Sequence, residues 1–141
     1  MGRFIFSMAV AVWLGTVVSF SYVMLPAIHT AMEGEASRVL HKLFPRYYVL
    51  GIVCGLIALA SVSLAPPSPR LLFAERLRLA FPVVVSLICT LVAQRFLLPR
   101  LSAARRPEGE AEFARLHRFS AMLNSTVLAM LILAVAALAT R

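Results

Sequence analysis

Long uncharged stretches alternate with short polar ones along this chain. Phe4 to Met24, Tyr47 to Ala65 and Phe119 to Thr140 hold no charged side chain, and Leu79 to Gln94 lies between Arg78 and Arg95. A helix rises about 1.5 Å per residue, so about 20 apolar residues cross a hydrocarbon core about 30 Å thick. The first, second and fourth stretches reach that length. The third continues through Leu97 and Leu98 if Arg95 sends its head group back to the interface. None has the polar face that a soluble bundle needs. The pattern predicts spans at 4–24, 46–65, 78–98 and 117–140, in one domain over 1–141. The expected fold class is an all-α integral membrane four-helix bundle. The first stretch exceeds the apolar core of a signal peptide and no small-x-small site follows it closely, so it is read as an anchor.

The connections carry patterns of their own. From Ala36, the apolar positions Ala36, Leu40, Leu43 and Tyr47 recur at helical spacing, while Arg38, Lys42 and Arg46 form a basic stripe every fourth residue. This predicts an interfacial amphipathic helix at 34–44, between spans one and two. Pro45 suits the first turn of the second span, or a kink there. The second connection opens with Pro66, Pro67 and Pro69 and reads as a stiff turn. The third breaks at Pro99 and Pro107, after which Glu108, Glu110 and Glu112 fit the positive end of a helix beginning near Pro107. Gly51 and Gly55 make a GxxxG step, Gly15 and Ser19 a looser small pair, and Pro82 predicts a kink. No internal repeat is evident.

Composition agrees, since 61% of the 141 residues are apolar. The net charge of +8 would suggest nucleic acid in a soluble protein. Here the arginines border the apolar stretches, which points to lipid phosphate and away from nucleic acid. The first and third connections with their flanks, Met24–Tyr47 and Gln94–Phe119, hold nine Lys and Arg residues, against five on the opposite side. The positive-inside rule then puts both of these connections in the cytoplasm and both termini outside, in a bacterial-type inner membrane. Cys54 and Cys89 fall within spans, lack metal-ligand spacing and read as small core hydrophobes.

Candidate chemistry concentrates at the entrance of the fourth span. At 100° per residue, Phe113, His117, Ser120 and Asn124 fall within a stripe of about 60°. Glu110 lies at its edge, and Leu128 and Leu131 continue it inward. An amide or imidazole facing lipid costs several kcal/mol, so this face must point into the bundle. The plain reading is interhelical hydrogen bonding that fixes register, and the functional one is a small binding site or path. His29, His41 and His117 all fall near one membrane face, yet none has a second ligand at helical spacing. Ser120 follows His117 by one turn without a third catalytic group.

Three stretches carry a resemblance: Trp13–Gly15 (WLG), Leu43–Gly51 (LFPRYYVLG) and Phe113–Asn124 (FARLHRFSAMLN). In these the chain resembles the transmembrane protein 205-like family of small four-span membrane proteins. That resemblance implies a four-helix membrane fold, a shared role for His117, Ser120 and Asn124, and no established activity. It also singles out His117 over the other two histidines.

The sequence thus predicts a multi-pass membrane protein that is not an enzyme. It is expected to act as a binding, transport-related or accessory subunit, with a polar pocket formed by Tyr47, Arg95, His117, Ser120 and Asn124. Gly15, Gly51 and Gly55 are the expected packing positions. Lipid and a membrane-protein partner or second copy are the expected company, and no cofactor is expected. The alternative is a haem- or metal-binding redox protein using His117.

Overall fold

The computed structural model describes residues 1–31, 36–63, 73–103 and 110–139. Every described element is helical. Helix α1 (Gly2–Val18) passes through a π turn (Ser19–Met24) into α2 (Leu25–Ala31). Helix α3 covers Ala36–Ser63. Helix α4 (Phe73–Val92) passes through a second π turn (Ala93–Leu97) into α5 (Leu98–Ala103), and α6 spans Glu110–Ala139. Four segments are long and apolar enough to cross a membrane: Gly2–Ile28, Lys42–Ser63, Phe73–Leu101 and Ala114–Ala139.

The third span is longer than its charge-free stretch because neither Arg78 nor Arg95 ends the helix. The 34–44 segment, expected as a separate interfacial helix, belongs from Ala36 onward to the same continuous helix as the second span. Pro45 removes one backbone donor without breaking it. Rings pack on both sides of the proline: Phe44 lies 6.1 Å from Tyr48, and both join a stack that reaches Phe20 in the first π turn. Pro82 likewise sits buried within α4 without ending it. The proline-rich second connection and the Pro107 helix start fall outside the described residues.

The helices form a ring in which α1 packs on α3, α3 on α4, α4 on α6 and α6 on α1. Contacts at the ends fix the direction of each span. Arg3, opening α1, lies 3.8 Å from Glu75, opening α4. Arg78, one turn further along α4, donates through Nη2 to the carbonyl of Ala137 at the end of α6, 3.2 Å away. That carbonyl is among those a helix C-terminus leaves unpaired, so a cation suits it. The starts of α1 and α4 thus share one face with the end of α6, as four alternating spans require.

The core is built around Trp13, which is only 2% exposed and packs with Phe6, Val10, Val17, Val83 and Leu131. Gly51 and Gly55 make room for its indole: a Cβ at Gly51 would fall 2.7 Å from Trp13 Nε1, and one at Gly55 2.9 Å from Cζ3. The GxxxG step therefore houses a large side chain from a neighbouring helix. At Gly15, by contrast, a Cβ would meet nothing within 4 Å. Buried hydroxyls turn back onto their own helices, Ser86 Oγ to the Pro82 carbonyl and Thr90 Oγ1 to the Ser86 carbonyl, both at 2.8 Å. Large apolar side chains, among them Phe4, Val53, Leu56, Phe81, Ile88 and Ile132, face outward around the bundle. A water-exposed surface does not carry such a belt, and a lipid-exposed one does.

The two π turns repeat a local pattern. Leu25 N–H bonds to the Phe20 carbonyl and Leu98 N–H to the Ala93 carbonyl, five residues back in each case. Each bonded leucine is followed by a proline, Pro26 or Pro99. A proline in a helix has no donor, and its ring crowds the carbonyl four residues earlier. One turn widened by a residue accommodates that crowding. The sequence pairs Met24-Leu25-Pro26 with Leu97-Leu98-Pro99, a correspondence too short to register as a repeat before the helices were in view. The first and third spans thus share one local device, a π turn that ends on a Leu-Pro step.

Candidate functional site

The first π turn, the start of α3, the end of α4 and the start of α6 meet at the face opposite the Arg3–Glu75 pair. Asn124, half way along α6, sits between two partners. Tyr47 Oη donates to its Oδ1 at 2.8 Å, and its Nδ2 donates to Ser21 Oγ at 2.6 Å. Beside this line, Tyr48 and Ser120 share a side-chain hydrogen bond. Tyr48 is 8% exposed, so its hydroxyl needs such a partner. These bonds join α3 to α6 across the diagonal of the ring and tie α6 to the end of the first span.

Aromatic packing fixes the two tyrosines. The Tyr47 ring stacks on Phe20 at 4.5 Å and 22°, and meets Tyr48 edge-on at 5.1 Å. Phe20 also takes Phe44 edge-on at 5.3 Å. The stack is held by Phe44 and, one turn further along α3, Tyr47 and Tyr48, and by Phe20, which the first π turn directs inward. Tyr47, Tyr48, Ser120 and Asn124, with Thr90 and Ala93, line a cavity of about 10 Å³. That is room for one water at most.

The structure therefore brings together Tyr47, Ser120 and Asn124 of the residues singled out in the sequence. His117, one turn outward from Ser120, is exposed and outside the lining. Arg95 is exposed as well: the second π turn directs Ala93 and Leu97 inward and leaves Arg95 and Phe96 on the outside. Among the described residues, no three His, Cys, Asp or Glu side chains converge. The side chains of His29, His41, Glu110 and Phe113 lie outside those described. Thr126, off the polar stripe, bonds back to the Met122 carbonyl at 2.9 Å.

Sequence reasoning missed Ser21 and Tyr48. Ser21 lies in an apolar span with no periodic polar neighbour, and only the π turn aims it at Asn124. Tyr48 was legible in principle, as the second of two adjacent tyrosines, of which a helix can turn both toward neighbours on one side.

The family model described as a domain of unknown function (DUF4149) matches residues 8–110. The chain belongs to the DUF4149 family. The DUF4149 match takes in the first π turn, Tyr47, Tyr48 and the second π turn, and ends where α6 begins. Asn124 and Ser120 lie beyond it, so the site joins the matched helices to the one that follows. No curated protein and no solved structure matches the chain.

Proposed function

We propose that this multi-pass membrane protein is a non-enzymatic accessory subunit that engages a membrane partner, either another protein or a second copy. The observation that carries this reading is the state of its polar groups. The amide and hydroxyls that form the candidate site bond to one another around space for a single water. They act as a lock on helix register and leave no room at that point for a solute or a reacting group. Arg95, exposed beside the lock at the same face, offers a cation to such a partner.

Three finer readings belong with this proposal. The motifs at Trp13–Gly15, Leu43–Gly51 and Phe113–Asn124 support kinship with the transmembrane protein 205-like proteins. The excess of basic residues on the first and third connections supports cytoplasmic placement of the polar lock and external termini, in a bacterial-type inner membrane. The chain is proposed to work without a cofactor.

One preparation tests the reading against its rival. The protein purified in mild detergent is expected to be colourless and free of stoichiometric metal, and cross-linking in membranes should link it through α6 to a protein partner or to itself. A Soret band or a bound metal that disappears in His117→Ala would replace the accessory role with redox or metal chemistry.

A further inference from the structure

A further concavity lies outside the polar lock. A groove of about 480 Å³ runs along the outer side of the α1–α3 pair. Its walls are Val12, Thr16 and Phe20 from the first span and Leu43, Tyr47 and Leu50 from α3. Gly15 forms part of the floor, and a side chain there would project into empty space. From Val12 to Met24 the groove follows the first span for about 18 Å at about 1.5 Å per residue. That is a little more than one leaflet of a core about 30 Å thick. Its volume falls in the ~300–1,000 Å³ range of ligand sites.

The outer end is charged. Arg46 lines the groove and is exposed, with Lys42 one turn further out on the same helix. Among the described residues no carboxylate pairs with either. An apolar channel one leaflet deep with a guanidinium at its mouth matches one molecular shape: an acyl chain below a phosphate. Basic sites between transmembrane helices hold anionic head groups in this way, and a guanidinium fits a phosphate through paired N–H donors.

We infer that the groove between the first span and α3 is a binding site for one acyl chain of an anionic phospholipid, whose phosphate sits on Arg46. The inference is independent of what the polar lock does. Tyr47 stands between the two, its ring in the groove wall and its hydroxyl on Asn124.

The whole chain, delipidated in mild detergent, is titrated with phosphatidylglycerol or with phosphatidylcholine of identical acyl chains, and bound lipid is counted by native mass spectrometry. One phosphatidylglycerol should bind ahead of phosphatidylcholine, and Arg46→Gln should reduce that preference about fivefold. Gly15→Trp should lower occupancy by either lipid about tenfold or more, by filling the acyl channel. Equal binding of the two lipids to the unmodified protein, a preference untouched by Arg46→Gln, or full occupancy in Gly15→Trp would each overturn the inference. A second measurement covers failure of the tryptophan variant to fold. Phosphatidylglycerol carrying a photoreactive group on its acyl chain is cross-linked to the unmodified protein in phosphatidylcholine nanodiscs. Label concentrated on Val12, Thr16 and Leu50 supports the site, and label spread evenly over the outward-facing residues reduces it to annular lipid.

Discussion

A methyl group added to Gly51 would fall 2.7 Å from Trp13 Nε1, while one added to Gly15 would meet nothing within 4 Å. The two glycines look alike in the sequence, each one helical turn from another small residue in an apolar stretch. Their substitutions should differ in sign. Gly51→Ala is expected to destabilise the detergent-solubilised protein by about 1–3 kcal/mol through overpacking. Gly15→Ala should be neutral or stabilise by up to about 1 kcal/mol, because alanine favours the helix. Thermal unfolding followed by Trp13 fluorescence reads both, and equal losses would contradict the structure. Asn124 offers a second test. Asn124→Leu removes both bonds of its amide, and Tyr47→Phe removes one. Their coupling in a double-mutant cycle should reach about 0.6–1.7 kcal/mol, the range of interhelical hydrogen bonds in membranes. Additive effects would mean that the Tyr47–Asn124 bond does not contribute in the folded protein. The inward aim of Asn124 and Ser120 could be read from helical spacing alone. The same spacing put His117 on that face, and it is exposed, because spacing gives direction around a helix but not the depth at which neighbours begin.

The prolines act on whole elements. Pro26 and Pro99 each follow a π turn, and the first of these turns aims Phe20 and Ser21 into the bundle. Replacing Pro26 with alanine restores a backbone donor and removes the ring that crowds the Tyr22 carbonyl. The turn is then expected to relax to α-helical geometry and to swing Ser21 away from Asn124. The coupling between Ser21→Ala and Asn124→Leu, measured by the same unfolding assay, should fall toward zero in the Pro26→Ala background. Coupling that persists would show that tertiary packing, and not the proline, holds the widened turn. Pro45 and Pro82 have no such turn beside them and sit inside continuous helices. A proline in the sequence thus signals local stress, while its neighbours decide whether the helix widens, bends or simply carries on.

At the scale of the molecule, apolar side chains point both inward and outward. Around the ring of four helices, the core is made of Trp13 and smaller residues, and the outer belt holds many of the larger ones. That distribution suits lipid as the outer solvent. The proposed orientation in the membrane rests on the charge bias of the connections. Reporter fusions active only outside the cytoplasm should work at either terminus and fail in the third connection. The opposite result would invert the proposed topology and place the polar lock on the outer face.

Four helices long and apolar enough to cross a membrane, and the inward aim of Ser120 and Asn124, were legible in the sequence itself. These depend on the length of apolar runs and on helical period, both of which are local. Tertiary structure decided the rest. It placed Trp13 over Gly51 and Gly55, drew Ser21 and Tyr48 into the polar lock, left His117 and Arg95 outside it, and opened a groove at Gly15. Each of these depends on which helix stands opposite and at what depth. No local pattern carries that information in an apolar chain, where nearly every face is greasy enough to be buried.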